Sequence, residues 1–259
     1  MNKLLTTCTV FFVFLANAQS VPFDQKLYKA FIDMRVGNGN TPTYWYCYGE
    51  VYTYPQGKLI SKMEGVDMAR YIPITADSTV QISRKIFIYT DTATGEALET
   101  YNGNTVTHIQ YPYQQISYVL KQNKLVSWVT QGSGSSIQTI GPGTKTFARK
   151  LGKNVMFSAP LFLNIKTPRG VYEAYENYDF IVSPKAKTTQ QKYQLMWNRY
   201  GDLPPFAGQG KCIIQLVCYR VNAFDQLSEP LKKYITTKAP LWLDAPKNMA
   251  EIKALQAAQ

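Results

Sequence analysis

Four arginines stand where their neighbours two residues away are mainly apolar or aromatic. Arg70 lies between Met68 and Ile72, and Arg84 between Ile82 and Ile86. Arg199 follows Leu195 and Trp197, and Arg220 follows Leu216 and Cys218. Side chains alternate across an extended strand, so each arginine shares a face with those neighbours. An unpaired buried guanidinium is costly, so each must find a carboxylate, reach solvent at a strand end, or meet an anionic ligand. Glu50, Glu64 and Glu173 are the carboxylates that could pair with them. A ligand is the other solution, because the planar fork of arginine grips a carboxylate or phosphate in two places and stays charged. Tyr44, Tyr46, Tyr48, Tyr52 and Tyr54 share a face with Glu50. That row is either a sheet face half in water or the aromatic wall of a cavity, since tyrosine joins apolar area to a hydroxyl. On the cavity reading the candidate ligand-binding residues are Arg70, Arg84, Arg199, Trp197, Tyr48 and Glu50.

Enzyme templates are absent. The chain has no GxSxG, HExxH, Walker or dinucleotide-binding motif. Its one histidine, His108, shares a face with Val106 and Gln110 and is a candidate catalytic base, with a buried carboxylate as the alternative. Pairs such as Asp91 with Glu96, or Glu173 with Asp179, sit in turns or on exposed-looking faces. One histidine and no CxxC offer no metal site, and no cofactor is implied. Beyond Cys8, the cysteines are Cys47, Cys212 and Cys218. Cys212 and Cys218 lie about 20 Å apart along one extended strand, too far to bridge. Cys47 can bridge to either, or all three can be buried thiols.

These residues need elements to hold them. Residues 1–18 read as a secretory signal peptide: Lys3 in a short positive start, an apolar run from Leu4 to Leu15, and a small-x-small end at Ala16-Asn17-Ala18. The remaining 241 residues carry no second long apolar run, so no transmembrane anchor is expected in the mature chain, and export to a periplasm or medium is. Phe23 to Arg35 is a helix capped by Asp24. Strands follow at Tyr44–Tyr54, Lys58–Val66, Gln81–Thr90, Gln115–Leu120, Lys124–Thr130, Val171–Val182, Tyr193–Tyr200 and Gly208–Val221, rich in β-branched and aromatic residues. Asp91 to Gly95 is a turn in which Gly95 takes positive φ. Gln131 to Gly143, rich in Gly and Ser, reads as a loop. Ser228-Glu229-Pro230 starts a short helix. A second, Lys247–Ala258, docks through Met249, Ile252 and Leu255 or frays.

The pattern predicts one all-β domain over 19–259, with minor helices. It is a strongly curved antiparallel sheet or barrel of about eight to ten strands, with the N-terminal helix plugging it and short C-terminal helices at its edge. The mature chain holds 27 basic against 17 acidic residues. The basic residues are scattered rather than in runs, so nucleic acid is not the expected partner.

The motifs also resemble a known family. Tyr44-Trp45-Tyr46 with Gly49-x-Val51-Tyr52, Glu64-Gly65 with Arg70, and Arg84-x4-Tyr89-x-Asp91-x2-Thr94-Gly95-Glu96 are similar to the exported bacterial proteins grouped as domain of unknown function 1838. Tyr178-x-Phe180, Trp197-x-Arg199 and Pro204-Pro205-Phe206 match its second half, so the likeness spans roughly Leu27 to Pro246. It implies a single exported domain and no particular chemistry. The leading expectation is a binding protein for a small amphiphilic or aromatic anion in a barrel-like cavity. The alternatives are a cofactor-independent isomerase, cyclase or lyase using that cavity, and an envelope structural or interaction module without one.

Overall fold

In a computed structural model, residues 20–37, 39, 41–133, 136–140, 146–167 and 170–258 are described. The expected leader, residues 1–18, lies outside them. Helix α1 (Gln25–Val36) precedes three long strands: β1 (Thr43–Tyr54), β2 (Leu59–Thr75) and β3 (Ser78–Thr90). Next come β4 (Ile109–Lys121), β5 (Lys124–Ser133), β6 (Ser136–Ile140), β7 (Phe147–Leu151) and β8 (Asn154–Thr167). The chain continues through β9 (Gly170–Val182), β10 (Tyr193–Asp202) and β11 (Lys211–Val221), then helices α2 (Glu229–Lys238) and α3 (Met249–Ala257).

The strands form one antiparallel sheet that almost closes on itself. Ten of them run in the order β7-β8-β9-β10-β11-β1-β2-β3-β4-β5. A bridge between Leu125 of β5 and Thr146, just before β7, joins the two ends. At the edges, Ser20–Val21 pairs with β7 and β6 pairs with β5. Near-closure leaves little of the sheet edge unpaired, since β6, Ser20–Val21 and the Leu125–Thr146 bridge cover its two end strands.

Alternation then decides which residues face the lumen. From β3 the inward set is Gln81, Ser83, Lys85, Phe87 and Tyr89; the outward set is Ile82, Arg84, Ile86 and Ile88. Both sets are largely buried because the outer face is also covered. Ile86 and Ile88 pack with Tyr44, Tyr46, Val66 and Met68 under Leu231, Ile235 and Trp242. Ile82 and Tyr113 pack under Ile252 of α3. Helix α1 belongs to the inner layer. Its Phe31 meets the rings of Tyr118, Phe157 and Phe180 at centroid distances of 5.3–6.1 Å. The carbonyls of Asp33 and Met34 at its C-terminal turn accept from Arg220 Nη1 at 2.7 and 3.2 Å, where the helix dipole favours a cation.

The all-β barrel and its helices match the expectation, with Asp24 capping α1 through Leu27 N–H (2.7 Å). The Gly/Ser-rich stretch does not: its described residues form the β5–β6 hairpin, with Gln131 paired to Gln138, because a strand needs only backbone pairing and not an apolar pattern. Strands β7 and β8 had no counterpart in the sequence reading. Gly95 has φ +75°, and Asp91 Oδ1 accepts the Ala93 and Thr94 amides at 3.0 and 2.8 Å. Open space surrounds the position where a Cβ would stand. Gly95→Val should therefore cost about 1–3 kcal/mol from backbone strain alone, read as a lower denaturation midpoint with an unchanged m-value.

Candidate ligand site in the barrel lumen

The barrel encloses a cavity of about 660 Å³. This is within the range of pre-formed sites for small organic ligands. Its wall is largely aromatic and aliphatic, with Phe87, Tyr89, Tyr111, Tyr178, Trp197 and Leu216 among the lining residues. Set into this wall are three cations, Arg35, Lys85 and Arg199, and two deep carboxylates, Asp67 and Glu176. A third carboxylate, Asp202, lies at the rim and pairs with exposed Lys211 at 2.7 Å.

Strand register builds two charge clusters. Asp67 on β2 is the cross-strand partner of Lys85 on β3, and Arg35 reaches Asp67 from α1. Arg35 Nη2 donates to Asp67 Oδ2 at 2.7 Å, while Lys85 Nζ stays 3.8 Å from that oxygen, beyond hydrogen-bond range. Asp67 Oδ1 is buried with no hydrogen-bond partner. Burial lowers the pKa of the Lys85 amine; Asp67 opposes that shift and the Arg35 charge adds to it.

The second cluster comes from β9 and β10, where Glu176 pairs in register with Arg199 and Tyr178 with Trp197. Tyr178 Oη and Trp197 Nε1 donate to Glu176 Oε2 at 2.6 and 3.3 Å. Arg199 Nε lies 3.8 Å from Glu176 Oε1, and its Nη2 donates to Tyr172 Oη at 2.7 Å. Burial pushes the Tyr111 hydroxyl up to about 12, so it remains a proton donor at neutral pH. Among the described residues, no group of three His, Cys, Asp or Glu side chains could hold a metal ion.

Of the residues singled out from sequence, the structure places Trp197 and Arg199 in the lumen wall. The other four face outward. Arg84 donates from Nε to Pro112 O at 3.1 Å, from Nη1 to Asp244 O at 3.0 Å, and from Nη2 to Glu251. Arg70 pairs with Asp244 at 3.1 Å. Both arginines therefore fasten the C-terminal segment to the outside of the barrel, and their apolar neighbours pack under helices rather than around a ligand. Tyr48 is 47% exposed on the outer face, and Glu50 accepts from Tyr52 Oη there. The physical reason is that on β1–β3 the outer face is apolar too, so an apolar strand face does not by itself mark the inner one. Lys85 and Asp67 were missed because they alternate with that face and look like its solvent side. Arg35 looked like an ordinary basic residue at a helix end.

His108 is not in the lumen wall. Its Nδ1 accepts the Tyr89 N–H at 3.2 Å, and its ring meets Tyr234 edge-on at 4.8 Å. Burial lowers its pKa from 6.5 to about 4. Between those values the unfolded chain binds a proton that the native state refuses, so stability rises with pH. The contribution is complete above 6.5 and lost as pH falls toward 4. Allowing for partial solvation, wild type should lose about 1–2 kcal/mol from this residue between pH 7 and pH 4.5. The loss should be absent in His108→Asn, whose amide oxygen can accept the same N–H; equal pH slopes by denaturant titration would rule it out.

Cys47 and Cys218, cross-strand partners on β1 and β11, form a disulfide, and Cys212 is a buried free thiol. No described helix is long and apolar enough to cross a membrane. No curated protein and no solved structure matches the chain. The model of the family described as a protein of unknown function, DUF1838, matches residues 40–257, and the protein belongs to that family.

Proposed function

We propose that this is an exported binding protein, a single unit over residues 19–259, whose barrel lumen takes a small amphiphilic anion. The observation that carries the reading is the charge balance of the cavity. Three cations stand against two deep carboxylates in an apolar and aromatic wall, which leaves one positive charge for a ligand to neutralise. Asp67 Oδ2 is already held by Arg35 at 2.7 Å, and the Lys85 amine shares that one carboxylate at the longer distance of 3.8 Å. An acid with an apolar tail would meet both needs, its carboxylate at the cations and its tail along Phe87 and Trp197. The Cys47–Cys218 disulfide supports export, since such bonds persist in oxidising compartments, and it accords with the leader-like residues 1–18.

The test is a thermal melt with a panel of fatty and aromatic acids beside their methyl esters. Acids at ten times their Kd should stabilise the wild type by about 1.4 kcal/mol, and the esters should not. Arg199→Met should weaken acid binding about tenfold or more. Acids and esters acting alike, or neither acting, would overturn the reading. A cofactor-independent enzyme remains the second reading, and one observation favours a specific form of it. Glu176, oriented by Tyr178 and Trp197 inside the lumen, is placed to serve as a base, a role for which His108 lies on the wrong side of the wall.

A further inference from the structure

We infer that Lys85 is a nucleophile that captures an amphiphilic aldehyde in the lumen as a protonated imine. The inference rests on the lumen being a ligand site and names the group that bonds there. Strand register supplies the setting. Lys85 is flanked across β3 by Asp67 on β2 and by Tyr111 on β4, and all three line the cavity. Here Arg35 occupies Asp67 Oδ2 at 2.7 Å and the Lys85 amine stands off at 3.8 Å, within the cavity. Desolvation in an apolar pocket, with a second cation beside it, is a recognised way to activate a lysine amine. Burial and the Arg35 charge act on Lys85 in that sense.

The chemistry needs no co-reactant. The Lys85 ammonium first gives one proton to the Asp67 carboxylate, which returns it to nitrogen at the end. The Nζ lone pair so freed forms a bond to the carbonyl carbon, and the C=O π pair moves to oxygen, where the Tyr111 hydroxyl can donate a hydrogen bond. Two protons pass from nitrogen to that oxygen, which leaves as water, and the resulting C=N nitrogen takes up one proton. Asp67 is the neighbouring carboxylate for these transfers, and afterwards the counter-ion of the iminium. The positive charge beside Asp67 is kept, so the pocket's electrostatic balance is unchanged.

The experiment treats the full mature chain at neutral pH with decanal or cinnamaldehyde and sodium cyanoborohydride, followed by intact mass measurement and peptide mapping. The expected product is one adduct, equal to the aldehyde less one oxygen atom, on Lys85. It should form about tenfold faster there than on any surface lysine. A non-reactive acid such as decanoate should protect the site, and Lys85→Arg and Lys85→Met should show only the slow surface labelling. Label spread over surface lysines, with Lys85 unmodified in the folded wild type, overturns the inference. The acid and ester melts separate the two readings. Acids that stabilise while Lys85 stays unlabelled remove only the imine, and absence of both effects removes the ligand site as well.

Discussion

Replacing Arg84 by methionine is expected to lower the stability of the protein by about 3 kcal/mol while leaving the lumen's affinity for acids unchanged. Arg84 is 3% exposed, and its guanidinium bonds two backbone carbonyls, those of Pro112 and Asp244, besides Glu251. Methionine fills the space between Ile82 and Ile86 but donates nothing. Two part-buried acceptors then lose this partner, each costing up to about 1–3 kcal/mol. Glu251 softens the loss, because its side chain is 30% exposed and can turn toward water. The C-terminal segment should loosen first, since Arg84 and Arg70 are its charged ties to the barrel wall. Denaturant titration checks the magnitude, and limited proteolysis between α2 and α3 checks the location. A variant of wild-type stability that has lost acid binding would return Arg84 to the ligand site and contradict the outward orientation.

The second large effect is expected inside the barrel. Asp67→Asn should destabilise the empty protein by about 3–5 kcal/mol, because two buried cations lose the carboxylate between them. Asp67 is 5% exposed and Arg35 7%, so water screens neither well. The same change should make the lumen a better anion site. With an acid present at a hundred times its Kd, about 2.7 kcal/mol of stability should return. A structural role alone predicts the loss without the rescue, and a loss below about 1 kcal/mol would show that Asp67 is not the counter-ion of Arg35 and Lys85. Melts of wild type and variant, each with and without decanoate, distinguish these outcomes.

Much of this architecture could be read from the chain. Period-two alternation in segments such as Thr43–Tyr54 and Ser78–Thr90 identifies strands because side chains on extended backbone must alternate, whatever surrounds them. Local chemistry was equally legible. Asp24 and Ser228 cap their helices, and Gly95 takes the positive φ its turn demands, because each depends on atoms within a few residues.

Sidedness was not legible, since alternation gives two faces and does not say which encloses the lumen. That was decided by where α2 and α3, more than a hundred residues further along the chain, lie down. By covering the outer face of β1–β3 they turn Arg70 and Arg84 into structural ties. The lumen cluster is likewise a product of closure: Arg35, Asp67, Lys85 and Glu176 come from a helix and three strands. No local pattern links them; register across the sheet and the plugging helix bring Arg35, Asp67 and Lys85 within a few ångströms of one another and set Glu176 beside Arg199 on the same lumen wall. The sequence by itself determined strands, caps and turns, because those are settled by short-range sterics and hydrogen bonding. The tertiary structure alone decided which arginines are structural and which charges share a cavity, because burial depends on what covers each face of the sheet.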